Sequence, residues 1–135
     1  MQHSTAQRAT AQEGFPRQAR LTRADEFERV LRHPEFKLRS GPLRLNAVFN
    51  RMQCARLGLV VGKKAVPPAH ARNRIKRIVR DRFRRTRSLL GSLDMVIRVT
   101  GPLRSADLDM YLEHLFTGIV EYVRENVGES SREGP

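Results

Sequence analysis

The sequence predicts an α+β fold, a small α/β sandwich in the order α-β-β-α-β-α, with room for one extra short strand. Two segments, residues 43–49 and about 56–63, carry the two-residue alternation of strands, and residues 72–87 and 108–123 repeat apolar residues at helical spacing. A length of 135 residues suits a single domain. That domain is expected over residues 15–127, between a disordered lead-in at 1–14 and a disordered tail at 128–135.

Each element has its own signal. The lead-in MQHSTAQRATAQEG is polar and has no apolar stretch of the signal-peptide kind. Folding signals begin at Phe15-Pro16-Arg17. Thr22 followed three residues later by Asp25 predicts a capping box, opening a helix that buries Phe27, Val30 and Leu31 and stops before Pro34. Leu43, Leu45, Ala47 and Phe49 alternate with Arg44, Asn46 and Val48 in the first strand. In the second, Leu57, Leu59 and Val61 share one face; Gly58, Val60 and Gly62 share the other, where small residues permit close approach by a helix or a ligand.

Pro67-Pro68 closes the strand region, and a helix runs from Ala69 or His70 to about Leu90, with Gly91 as its stop. DMVIRVT, residues 94–100, is the third strand, broken by Gly101-Pro102. Ser105 or Asp107 then caps a last helix with a stripe of Leu108, Leu112, Leu115, Phe116, Ile119 and Val123.

The helix after Pro68 carries the chemistry. Its run RNRIKRIVRDRFRRTR, residues 72–87, holds nine Lys/Arg and one acid, Asp81, a formal +8 of the chain's +12. Ile75, Ile78, Val79, Phe83 and Thr86 lie on one side of the wheel; Lys76, Arg77, Arg80, Arg84 and Arg87 lie on the other, where no acid is expected. Like charges at i,i+4 destabilise a helix by a few tenths of a kcal/mol each. A polyanionic partner relieves that repulsion and releases its condensed counterions. The competing readings are a merely solvated face and an anionic membrane surface. The stripe is that of a core-facing helix and the chain has no Trp, which weighs against the membrane. From Asp109 onward six acids face Arg124 and Arg132, so the positive field is regional.

The chain offers little for catalysis of its own. His3, His33, His70 and His114 are scattered, Cys54 is the single cysteine, and the five Asp read as caps, turns or helix surface, Asp94 as a turn. No carboxylates pair as a two-metal nuclease needs. Gly58-x-x-x-Gly62-Lys63-Lys64 lacks the spacing and the Ser/Thr of a phosphate loop. No run reaches the eighteen apolar residues of a membrane span, and the expectation is a cytoplasmic protein without a membrane partner.

Taken together, Arg56-Leu57-Gly58-Leu59-Val60-Val61-Gly62-Lys63-Lys64 and the following Ala69-His70-Ala71-Arg72-Asn73-Arg74-Ile75-Lys76-Arg77 closely resemble the protein subunit of bacterial ribonuclease P. Phe15-Pro16-Arg17 and Phe27 fit as well, and the resemblance covers about residues 15–123. It implies a ribonucleoprotein endoribonuclease in which a large RNA removes the 5′ leader of precursor tRNA with Mg²⁺ that the RNA uses, the protein alone binding no cofactor. It implies that Arg72, Asn73, Arg74, Lys76, Arg77 and Arg80 contact the catalytic RNA. Phe27, Lys63 and Lys64 would line or border a cleft that holds the leader, favours precursor over product and helps recruit Mg²⁺. It also implies a left-handed crossover between the strands flanking the basic helix, where general topology favours the right-handed form. Leu31, where some members carry a second aromatic, and the absence of an aromatic at Arg44 or Asn46 imply weaker stacking on the leader. Core packing is the competing role for Phe27. The other functional classes are a ribosomal or architectural nucleic-acid-binding module and a protein-only nuclease, the latter short of the acids and histidines it needs.

Overall fold

A computed structural model describes residues 17–133; the lead-in 1–14, Phe15 and Pro16 lie outside the described residues. A 3₁₀ turn at Arg17–Ala19 precedes helix α1 (Ala24–Arg32). Strands β1 (Phe36–Ser40), β2 (Leu43–Phe49) and β3 (Arg56–Val61) follow, then helix α2 (Ala69–Thr86) with a 3₁₀ turn at Arg87–Leu89, strand β4 (Leu93–Val99) and helix α3 (Ser105–Glu133).

The four strands form one sheet in the order β1-β2-β4-β3. β1–β2 and β2–β4 are antiparallel. β3 and β4 are parallel neighbours and need the long connection that α2 supplies. Strand alternation then sorts residues to two faces. Leu43, Leu45, Ala47, Leu57, Met95 and Ile97 join the buried sides of α2 and α3 in the main core. Val48 and Val96, on the opposite face, meet Leu21 and Val30 in a smaller cluster with Phe27 and Leu31 at its margin. The sheet is thus a filling between α1 and the α2–α3 layer.

Several expectations need correction. The extra strand is β1, closed onto β2 by Gly41, whose φ of 58° suits glycine in the tight turn. The cap of α1 is displaced by one residue. Glu26, not Asp25, reaches back, its Oε1 accepting from the backbone N–H of Arg23 at 3.3 Å and of Thr22 at 3.4 Å. Asp25 instead pairs with the Arg23 guanidinium at 3.1 Å. The second strand ends at Val61 rather than Lys63. The basic helix tightens into its 3₁₀ turn after Thr86, and Gly91 then takes the left-handed φ of 64°. The bounds of α3 are Ser105–Glu133.

Candidate nucleic-acid interface

α2 starts after two prolines, with Pro68 as its N-cap. Ile75, Val79 and Phe83 anchor it in the core, while Ile78 is only half-buried. Burying a side chain such as Phe83 stabilises by roughly 1.5–3 kcal/mol, enough to hold a helix whose other side repels itself. Asn73, Arg74 and Arg77 are exposed; Arg72, Lys76 and Arg80 are half-buried. Arg72 turns back, its Nη1 donating to the carbonyls of Val66 at 3.0 Å and Pro67 at 2.6 Å, and so fixes the loop entering the helix. Burial first, and the charge of Arg20 second, lower the pKa of Arg80. Arg20 arrives there because its segment bridges to Leu57 on the outer edge of β3.

The second half of α2 is quieter than its charge count implies. Asp81 receives Arg84 at 2.6 Å and Arg85 at 3.1 Å, and the Arg84 hydrogen bond is the main cause that holds its carboxyl below the usual carboxylate range. Arg82 pairs with Glu113 of α3 and lies over the Phe116 ring, 5.9 Å from its centroid. Arg87 donates its Nε–H to the carbonyl of Ala55 at 3.2 Å. The acid-free face expected around Arg84 is therefore wrong, since Asp81 sits one turn before it. The cations left for a ligand lie in the first turns, around Asn73, Arg74, Lys76 and Arg77.

On the other face of the sheet, α1 is pinned by a buried acid. Asp94 is fully buried and is the first residue but one of β4, not a turn. Its carboxylate accepts from Arg56 Nε and Nη2, both at 2.9 Å, from Arg29 Nη2 at 2.5 Å and from Asn50 Nδ2 at 2.6 Å. Arg56 also donates to Glu26 at 2.9 Å, so α1 is tied through two of its residues. The hydrogen bonds to Asp94, foremost, hold the Arg56 guanidinium even more firmly charged than usual.

This anchoring sets the ring of Phe27 directly on Gly58. A Cβ at residue 58 would lie 2.5 Å from Phe27 Cε1. Phe27 is half-buried at the margin of the smaller cluster. Lys63 and Lys64 are exposed just past the end of β3, at the opposite end of that strand from Arg56. Phe27 and the two lysines thus both belong to β3's surroundings, while the cluster of residues 72–77 stands on α2, behind the sheet. Among the described residues no three His, Cys, Asp or Glu side chains gather as metal ligands, and no helix is long and apolar enough to cross a membrane.

Asp94, Arg56, Arg29 and Arg20 escaped the sequence. One signal was present for Asp94: an acid heading the apolar run Met95-Val96-Ile97 must find a partner when buried.

Comparison with known proteins adds a family. The Ribonuclease P family model matches residues 15–122. A "Ribonuclease P protein component" from Halorhodospira halophila is 43% identical over 98 residues, 73% of this chain and 80% of that relative. A protein of the same name from Nitrosomonas europaea is 42% identical over 93 residues, 69% and 77% of the two chains. Among solved structures, the ribonuclease P protein of Thermotoga maritima superposes with a TM-score of 0.57 at 22% identity, over 78% of this chain and 96% of its own. That of Staphylococcus aureus gives 0.57 at 23% identity, over 81% and 94%. At such identities the two structures speak for the fold alone.

Proposed function

This chain belongs to the family of the bacterial ribonuclease P protein component, and from that membership we propose that it is the RNA-binding subunit of an endoribonuclease that removes the 5′ leader of precursor tRNA. The observation that supports the proposal is that a cationic cluster and an aromatic ring with two lysines stand on separate elements. The first turns of α2, with Arg72, Asn73, Arg74, Lys76, Arg77 and Arg80, face the catalytic RNA. Arginine forks suit bidentate contact with phosphates, and the Asn73 amide both donates and accepts. Arg72, already bound to the Val66 and Pro67 carbonyls, contributes mainly by shaping the start of the helix.

Phe27, Lys63 and Lys64 hold the leader. Single-stranded nucleic acid is bound by aromatic stacking inside a positive groove, and the half-buried Phe27 ring supplies the aromatic group. Stacking there favours precursor over mature tRNA, because only the precursor has a leader. The buried ion network around Asp94 keeps α1, and with it Phe27, at a fixed height above the sheet.

Hydrolysis falls to the RNA partner. Asp94 and Asp81 do not fit a Mg²⁺ site, since two arginines enclose the first and two more engage the second, and among the described residues no three His, Cys, Asp or Glu side chains gather as metal ligands. The metal's ligands belong to the RNA, and no step is assigned to this chain's side chains. The test is reconstitution. RNA-free protein should not cleave precursor tRNA, and cleavage at low Mg²⁺ should appear when the catalytic RNA is added. Leader removal by rigorously RNA-free protein would overturn the proposal. Copurification with ribosomes or bulk DNA, in place of one large structured RNA, would favour a general nucleic-acid-binding module.

A further inference from the structure

The outward stripe of α2 is cut in two by an acid. Arg74, Arg77 and Arg85 are exposed at helical spacing, and Asp81 falls into the same stripe, four residues after Arg77 and four before Arg85. Without it, cations would follow one another from Arg74 to Arg85, about 17 Å of helix at 1.5 Å per residue.

The second part of the stripe is closed off from two helices. Asp81 receives Arg84 at 2.6 Å and Arg85 at 3.1 Å, and Glu113 of α3 receives Arg82. Both acids face solvent, Asp81 at 46% and Glu113 at 68% side-chain exposure. A phosphate brought to any of these three arginines therefore meets a negative charge beside the cation. Salt does not remove that repulsion at contact, since screening acts over about 8 Å at physiological ionic strength. Stability gives little reason for the pairs, because exposed ion pairs contribute little to it. The first turns differ. Residues 69–80 contain no Asp or Glu, and among the described residues Arg72, Arg74, Lys76 and Arg77 have no ion-pair partner.

We propose that Asp81 and Glu113 are specificity-determining residues that withhold Arg82, Arg84 and Arg85 from RNA and confine binding to the first turns of α2. A long cationic stripe accepts any phosphodiester backbone, because phosphate contacts carry no sequence information. A short one binds tightly only where an RNA fold brings several phosphates to one place. This assignment depends on α2 being the surface for the catalytic RNA, as proposed above, and adds how other RNAs are kept off it.

The test titrates full-length wild-type protein, Asp81→Asn and Glu113→Gln with the catalytic RNA and, separately, with 16S ribosomal RNA across a salt series. Glu125→Gln is the control: it removes the same charge from an exposed site on α3, about 18 Å along the helix from Glu113, where no ion pair is formed among the described residues. Urea unfolding checks that all variants fold as the wild type does. Asp81→Asn and Glu113→Gln should each bind ribosomal RNA several-fold more tightly. The log K against log[salt] slope should steepen by roughly 0.7–0.9 for each further phosphate neutralised. Affinity for the catalytic RNA should hardly change, so selectivity falls. Adding Arg84→Ala and Arg85→Ala to Asp81→Asn should bring the affinity for ribosomal RNA back down. Wild-type affinity of both single variants for ribosomal RNA would overturn the assignment. So would an equal gain for the two RNAs, or a gain of the same size in Glu125→Gln, either of which would reduce the effect to net charge. Failure of the underlying reading looks different: the wild-type protein would then show no preference for the catalytic RNA over ribosomal RNA.

Discussion

Replacing Asp94 by alanine would leave two guanidiniums, those of Arg29 and Arg56, around a vacated carboxylate site beneath α1. Four hydrogen bonds end on that carboxylate, two from Arg56 and one each from Arg29 and Asn50. Bonds to charged groups contribute roughly 1.5–3 kcal/mol each, but their sum overstates the loss. The Arg29 side chain is 45% exposed and rehydrates once released; Arg56, at 12%, does not and keeps only Glu26. The cost is therefore that of breaking one buried pair, about 3–5 kcal/mol. That is a large part of the roughly 5–15 kcal/mol that stabilises a domain. Urea unfolding followed by circular dichroism measures it, as a lower midpoint at unchanged slope. Arg56→Ala should approach the same loss, and Arg29→Ala should cost about 1 kcal/mol or less, as exposed pairs do. A loss below about 1 kcal/mol for Asp94→Ala, or equal losses for Arg29→Ala and Arg56→Ala, would refute the role given to this network.

Two further predictions concern the helical layer. Arg74→Ala and Arg77→Ala, both at exposed positions, should weaken assembly with the catalytic RNA without changing the urea midpoint. Filter binding across a salt series should show a slope shallower by roughly 0.7–0.9 for each phosphate left without its arginine, and an unchanged slope would make these arginines mere surface charge. Tyr122 stacks on Phe36 at 4.5 Å and on Phe49 at 5.8 Å, and burial first, then the charge of Glu35, raises its phenol above the ordinary tyrosine value. A raised acid favours the neutral form in the folded state, so this stabilisation is complete below about pH 10 and is lost as pH rises through the folded value. Tyr122→Phe keeps the stacking and should lessen the alkaline fall in stability measured by urea unfolding; an identical fall in both proteins would count against it.

The parts legible in the sequence are those decided by local periodicity. Ile75, Val79 and Phe83 in α2, and Leu112, Leu115 and Ile119 in α3, recur at helical spacing because each must reach the same core. β1 went unassigned although Phe36 and Leu38 alternate with Lys37 and Arg39. It is five residues long, and its Phe and Leu are only partly buried, so its signal is short and weak. Asp94 was opaque for another reason: its partners Arg56 and Arg29 lie 38 and 65 residues away, and only the pairing of β3 with β4 and the seat of α1 bring them together. The Asp81–Arg84 pair was within local reach at i,i+3, and the excess of cations around it concealed it.

The most direct test of the division of labour between α1 and α2 is a paired titration of precursor and mature tRNA against holoenzyme carrying wild-type protein or Phe27→Ala. A base stacked on an aromatic ring contributes roughly 1–3 kcal/mol. The lower end applies here, because the Phe27 ring is already half-buried against Gly58 and Leu31, a turn later, cannot stack in its place. Precursor binding should weaken by about five-fold, the equivalent of about 1 kcal/mol, while mature tRNA and the catalytic RNA bind as before. Equal losses for the two tRNAs, or a large drop in the variant's unfolding midpoint, would make Phe27 a core residue and contradict the placement of the leader beside α1.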